Sequence, residues 1–213
     1  MSRIYISSSW SNAFQPTLVQ QLREQGHKVY DFRHPEGRND RNVWEELGVN
    51  KQSMTGSEFE AAVSDPDAML RFNKHYDAMQ DADTCILLLP CGRSSHIEAG
   101  IMRGLGKRVL VYDSGSTMIP EFMYRALNGY YHGEDGLQEL FHELQQPIYG
   151  VCQVCGCSDN NPCFHPEHGT CWWVDEEHTL CSHCAHQEEE GEYSIADDPE
   201  TVHCINDKSN AFR

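Results

Sequence analysis

Residues Thr84–Leu89 (TCILLL) form the most constraining stretch of the chain: a threonine followed by five side chains of apolar character with no polar alternation. A strand with one wet face alternates apolar and polar residues. An unbroken run of this length suits a strand covered on both faces, the setting of a parallel sheet between helices. The flanking sequence fits that setting. Arg3–Ser7 (RIYIS), Lys28–Phe32 (KVYDF), Arg108–Tyr112 (RVLVY) and Gly129–His132 read as further strands. Helical periodicity fills the intervals, beginning with Asn12 as an N-cap and Phe14, Leu18, Val19 and Leu22 on one face, closed by Gly26.

The remaining helices carry their own start signals. Ser57 with Glu60 three residues on reads as a capping box opening Ser57–Val63. Asp65 caps a helix with Pro66 at its first position and Met69, Phe72, Tyr76 and Met79 on its apolar face. Asp77 lies beside that face. Ser94 or Ser95 opens a helix that closes at Gly104–Gly106, a Pro120-led helix (PEFMYRAL) follows, and a last one spans about 134–146. The polar HPEGRNDRN stretch reads as a loop anchored by Trp44. Alternating strands and helices imply an α/β fold, a five-stranded parallel doubly wound sheet of flavodoxin-like order. Ligands of such sheets bind at the carboxyl ends of the strands. Ser7–Trp10, Asp31–His34, Pro90–Ser95 and Asp113–Thr117 meet there.

Composition narrows the function. The formal net charge is −17, and 13 acidic against 2 basic side chains lie beyond residue 146. Nucleic-acid binding draws on basic groups that displace counterions, so this balance argues against it. The chain shows neither a long apolar run nor a charged-then-apolar leader, so a cytoplasmic protein without a membrane partner is expected. A boundary falls at Gln146–Gly150. The expected domains are an α/β domain over 1–146, a metal-binding module over 150–186 and an acidic tail over 187–213.

Cleavage of an N-glycosidic bond passes through an oxocarbenium-like transition state, which a carboxylate can attack while an acid protonates the leaving group. Glu98, one turn inside its helix, suits the first role. Asp77 suits the second, or a partner of the base, and the Tyr5 hydroxyl can hold the carboxylate. Gly92, Ser94 and Ser95 at the helix N-terminus form an anion cradle suited to a phosphate. Each group also has a plainer reading: Glu98 as a helix-dipole acid, Asp77 as a surface residue, Tyr5 as a core aromatic and the serines as caps.

The RIYIS strand, the DAM..AD helix end, the apolar strand and GRSSHIEAG together resemble the nucleoside 2-deoxyribosyltransferase superfamily, which includes nucleoside 5'-monophosphate N-glycosidases. The resemblance spans about residues 1–145. It implies that Glu98 is the catalytic glutamate that forms a glycosyl-enzyme intermediate, that Asp77 and Tyr5 complete the catalytic set, and that Ser94 and Ser95 hold a 5'-phosphate. It implies too that Ser7, Ser8, Ser9, Phe32 and His34 line the pocket, that no organic cofactor is needed, and that the chain forms a homo-oligomer. Two features depart from the transferase pattern. CGRSS lacks the acidic residue that usually precedes the nucleophile, and the chain runs on where transferases lend a terminal carboxylate to a neighbour. Both favour hydrolysis of a nucleotide over base exchange. Two other functions remain open: a TIR-like NAD-cleaving or non-catalytic nucleotide-sensing module, suggested by ISSSWSN and LVQQLREQGHKVY, and a nucleic-acid base-modifying enzyme targeted by its metal module.

Seven of the ten cysteines crowd between positions 152 and 184. CxxC pairs in a chain of this kind favour metal over disulfides. Cys152, Cys155, Cys181 and Cys184 resemble a treble-clef zinc site, with the second pair on a first helical turn and TCWWVDEEHTLC as a hairpin between. Cys157, Cys163, His168 and Cys171 offer a second site, with His165 nearby.

Overall fold

A computed structural model describes residues 1–34, 53–115, 121–159, 162–166 and 168–189, the side chains of 186–189 excepted. The HPEGRNDRN loop beyond its first residue, Trp44, Pro120 and the acidic tail past 189 lie outside the described residues. The chain separates into two compact units, Met1–Gln145 and Gln146–Arg213.

The first unit contains β1 (Arg3–Ser7), α1 (Gln15–Glu24), β2 (Lys28–Tyr30), α2 (Gly56–Val63), α3 (Pro66–Asp81), β3 (Thr84–Leu89), α4 (Arg93–Gly104), β4 (Arg108–Asp113), β5 (Gly129–His132) and α5 (Gly133–Gln145). Its five strands run parallel in the order β2-β1-β3-β4-β5. This is the doubly wound order expected from the alternation of apolar runs and helices. β3 and β4 are buried along their whole length, as unalternated strands should be. Between β1 and β3 the strand order reverses, and the crevice outside their carboxyl ends is the natural ligand position of such a sheet.

Side-chain alternation divides the core in two. Ile4, Ile6, Ile86, Leu88 and Leu110 point to the face covered by Leu18 and Leu22 of α1 and by Leu140 and Leu144 of α5. Tyr5, Cys85, Leu87, Val109 and Val111 point to the other, against Met79 of α3 and Ala99 and Met102 of α4. Each fully buried aliphatic side chain stabilises the sheet by about 1.5–3 kcal/mol. Because the period is two, Tyr5 and Ser7 share the face that α4 covers.

Several element starts differ from expectation. The capping box sits two residues earlier: Thr55 Oγ1 accepts from Glu58 N at 3.3 Å and Glu58 Oε2 accepts from Thr55 N at 2.7 Å. The T-x-x-E spacing occurs at 55–58 as well as the S-x-x-E at 57–60, and the earlier pair adds helix while leaving no donor of Thr55 open. Asn12 is not a cap: its Oδ1 accepts from Phe14 N at 2.9 Å and shapes the turn ahead of α1. α4 starts from Gly92, with Ser94 and Ser95 already inside its first turn. β2 stops at Tyr30 because the Asp31 carboxylate accepts from Arg33 N at 3.0 Å and turns the chain. Where a Pro120-led helix was expected, a 3-10 turn spans Phe122–Ala126, capped by Glu121 accepting from Met123 N at 3.0 Å.

The second unit has little regular structure. β6 (Phe164–His165) and β7 (Gly169–Thr170) form a short antiparallel ribbon, and α6 (Ser182–Glu189) closes the described part. The Trp173–Cys181 bridge and the Val174 N to Leu180 O bond at 3.1 Å make the expected hairpin between the tryptophans and the last cysteine pair. Its turn is tied by Asp175, whose carboxylate accepts from Thr179 N and Leu180 N, each at 2.9 Å. The interior of this unit consists of cysteines rather than aliphatic side chains. No helix among the described residues is long and apolar enough to cross a membrane.

Candidate functional site

The carboxyl ends of β1 and β3 are stitched together by side chains. Ser7 Oγ lies 3.0 Å from the Ser95 carbonyl, Ser8 Oγ donates to the Leu88 carbonyl at 3.0 Å, and Asn12 Nδ2 donates to the Pro90 carbonyl at 3.1 Å. The Arg33 guanidinium, arriving from β2, donates to the carbonyls of Ser9, Trp10 and Asn12 at 2.8–3.0 Å. The loop after β1 is therefore fixed from both sides.

Glu98 enters this frame from the second turn of α4. Ser7 Oγ makes a short hydrogen bond to Glu98 Oε2, and the Tyr5 hydroxyl also bonds the carboxylate. Burial pushes the Glu98 carboxyl above its ordinary range, and the two hydroxyl donors pull against that rise. Tyr5 is only 1% exposed. Burial first, and the adjacent Glu98 charge second, raise its hydroxyl, so it stays a neutral phenol. Its ring stacks on Tyr30 at 5.4 Å between centroids, and its hydroxyl lies 3.3 Å from His75 Nδ1. The arrangement presents a desolvated carboxylate steadied by two neutral donors at the point where the strand order reverses.

The helix N-terminus beside it is open. Gly92 occupies the N-cap position without a side-chain cap, so no side chain of the cap residue occupies the first-turn N–H groups. Ser94 is exposed there, whereas Ser95 is buried and bonds Cys91. His96 braces the loop. The Gly92 carbonyl can only accept, so His96 Nδ1 donates to it at 2.8 Å. In the neutral ring Nε2 then accepts from the Tyr124 hydroxyl, also 2.8 Å away. Burial pushes the Cys91 thiol up to about 11 against the Ser95 bond, with Glu98 adding to the rise.

The other expected site residues are placed as follows. Ser9 Oγ pairs with Ser11 Oγ at 2.9 Å, and Ser8 serves the Leu88 carbonyl, so both hydroxyls hold the loop. Phe32, 5% exposed, meets the edge of Trp10 with 5.2 Å between centroids. His34 is exposed and holds Asp31 through Nδ1 at 2.9 Å. Burial opposes ionisation of Asp31, but bonds from His34, Gln15 and Arg33 N outweigh it and keep the carboxyl below its usual range. His34 also lines a hollow of about 450 Å³ with Pro16, Gln20, Arg23 and Asp31. That hollow lies on the α1 side of the sheet, not the α4 side.

Asp77 does not join this group. It is exposed on α3, and among the described residues no hydrogen bond links it to Glu98, Tyr5 or Ser7. His75 and Met79, one turn apart, face the sheet, and Asp77 is turned by about 200° from His75. His75, which the sequence reading passed over, is the α3 residue that reaches the site. The signal that could have found it is its i, i+4 spacing to Met79.

In the second unit the Sγ atoms of Cys152, Cys155, Cys181 and Cys184 lie within 4.8 Å of one another, the spread a tetrahedral metal site needs. This is the first set that the CxxC pairs suggested. The second set differs: the four sulfurs mutually within 4.8 Å are those of Cys155, Cys157, Cys163 and Cys181, with Cys171 beside them and His168 not among them. His168 is exposed and stacks on His165 at 4.7 Å. Cys171 accepts from Cys163 N at 3.2 Å and lies 3.7 Å from Cys157 Sγ.

No protein-family model and no curated protein matches the sequence. Among solved structures, the chain is similar to a 2-deoxyribosyltransferase of Bacillus psychrosaccharolyticus, with 18% identity over 65% of this chain and 90% of that one and a TM-score of 0.41. It is similar also to a CMP N-glycosidase of Clostridium botulinum, with 16% identity over 68% of this chain and 99% of that one and a TM-score of 0.39.

Proposed function

We propose that the first unit is an enzyme that cleaves or exchanges the N-glycosidic bond of a nucleoside 5'-monophosphate or a (deoxy)nucleoside through a covalent intermediate on Glu98. One observation carries the reading: a part-buried carboxylate held by two neutral hydroxyl donors, Ser7 and Tyr5, at the switch point of a doubly wound sheet. A Glu98 oxygen attacks the anomeric carbon, the C–N bond breaks, and its electron pair leaves with the base, which takes up a proton. Water then cleaves the glycosyl ester, or a second base replaces the first. Tyr5 and Ser7 steady the carboxylate before attack and as it leaves. The open N-terminus of α4, with Ser94, receives the 5'-phosphate, and Trp10 over Phe32 gives the base an apolar wall. With no acid beside the leaving group in CGRSS, hydrolysis of a nucleotide is favoured over exchange.

In the second unit, Cys152, Cys155, Cys181 and Cys184 hold a zinc ion whose role is structural. A second reading, a site that senses a nucleotide without turnover, is favoured by the placement of Asp77 away from Glu98.

The test is incubation with a panel of nucleoside monophosphates, nucleosides and NAD, with free base measured by chromatography. Base release by the wild type and none by Glu98→Ala supports turnover. Equal behaviour of the two rejects it, and calorimetric binding without base release supports sensing instead.

A further inference from the structure

Two cysteines of the second unit serve in both sets of four. Cys155 and Cys181 belong to the Cys152–Cys184 group and also to the group with Cys157 and Cys163, and within each group all sulfurs lie within 4.8 Å. Cys155 Sγ is 3.3 Å from Cys163 Sγ and 3.7 Å from Cys181 Sγ. A tetrahedral zinc with arms of about 2.3 Å has sulfur–sulfur edges of roughly 3.8 Å, so these separations fit shared corners of two tetrahedra. Two separate four-thiolate sites would need eight sulfurs. The segment between 152 and 184 has seven cysteines, and the two sets use six.

We propose that the second unit holds two divalent, thiophilic metal ions in one cluster, bridged by the Cys155 and Cys181 thiolates. Cys152 and Cys184 complete one ion, and Cys157 and Cys163 complete the other. Six thiols lose six protons as two ions bind, leaving a cluster of net charge −2. Two separate four-thiolate sites would leave twice that charge. Five of the six sulfurs belong to buried residues, where each uncompensated charge is costly, so sharing lets a second ion enter without enlarging the buried charge. The backbone is already wrapped for it: Cys152 N donates to the Cys157 carbonyl at 2.9 Å and Cys181 N to Cys152 Sγ at 3.4 Å. Cys171 Sγ lies 3.7 Å from Cys157 Sγ and accepts from Cys163 N, beside the second ion, but it belongs to neither set of four.

The full chain, loaded with cadmium-113, tests this. Two cadmium resonances in the all-thiolate range, coupled to each other through bridging sulfur, are the expected result, with two metal ions per chain by elemental analysis. Cys171→Ser should retain both ions. One ion per chain overturns the proposal. So do two uncoupled resonances, and so does loss of one ion in Cys171→Ser, which would mark a separate site built from Cys157, Cys163, Cys171 and a histidine. The coupling is read in the wild type, so the outcome does not depend on any variant folding.

Discussion

The hydroxyl of Ser7 donates to the carboxylate of Glu98 across 91 residues of sequence. The contact joins the end of the first strand to the helix after the third. It places the charge that burial resists beside a donor that stabilises it. Tyr5, two residues earlier on the same face, supplies the second donor.

This pairing predicts the acid limb of the pH profile. Burial raises the Glu98 carboxyl above 4.5, and the attacking form is the carboxylate. The kcat/KM profile should therefore fall as pH drops through a value above that of an ordinary carboxylate. Ser7→Ala and Tyr5→Phe each remove a bond that lowers the Glu98 pKa, so each should move the limb to higher pH. A hydrogen bond to a charged group is worth about 1.5–3 kcal/mol, enough for the displacement to be resolved in a pH profile. An unmoved limb in both variants would show that another group titrates.

The same carboxylate should cost stability. A carboxyl raised in the folded state binds its proton more tightly there than in the unfolded chain. Its contribution to stability then falls as pH rises from the ordinary carboxyl value through the raised one. Glu98→Gln should stabilise the chain at neutral pH while abolishing base release. Asp31 has the opposite sign. Its lowered carboxyl stabilises above pH 3.8 and loses that contribution as pH falls through the folded value. Urea unfolding of wild type, Glu98→Gln and Asp31→Asn from about pH 2 to 8 measures both slopes.

The helical phase of α3 separates two candidates. With His75 touching Tyr5 and Asp77 exposed, His75→Ala should lower kcat/KM by several-fold, about 1 kcal/mol for one neutral hydrogen bond. Asp77→Ala should change it by less than two-fold, roughly 0.4 kcal/mol on the conversion between rate and barrier. Steady-state rates on the best nucleotide decide, and a large loss in Asp77→Ala would return the acid role to that residue.

Metal removal should act on one unit. The second unit has a cysteine interior in place of an aliphatic one, so the proposed metal should supply most of its folding energy. Chelation followed by limited proteolysis should cut among residues 150–185 and leave a resistant fragment close to Met1–Gln145. Resistance of the whole chain after chelation would mean that the cysteines pack without metal.

The sheet was legible because β3 and β4 are apolar on both faces and the strands alternate with helical runs. The shared face of Tyr5 and Ser7 was legible because a strand has a period of two, whereas the start of α4, and with it the phase of Glu98, was set one to two residues late. The exposure of Asp77 was not legible, because a periodic stripe shows which residues are apolar but not how far a neighbouring polar residue turns away. The cap at Thr55 competed with an equally spaced one at Ser57, and only the helix length chose. Cysteine spacing revealed the first metal set because its pairs are local. It concealed the sharing of Cys155 and Cys181, because that depends on how the intervening loop doubles back.

Ser8 and Asn12 both reach across to the end of β3 and the loop after it, and both grasp backbone carbonyls there. A carbonyl is present whatever residue carries it. The path of the 88–95 segment is thus secured without the side chains of Arg93 and Ser94, and these exposed positions can be exchanged without displacing Glu98. An altered substrate preference should be reachable by randomising those two positions alone, on a scaffold that keeps its reacting group in register.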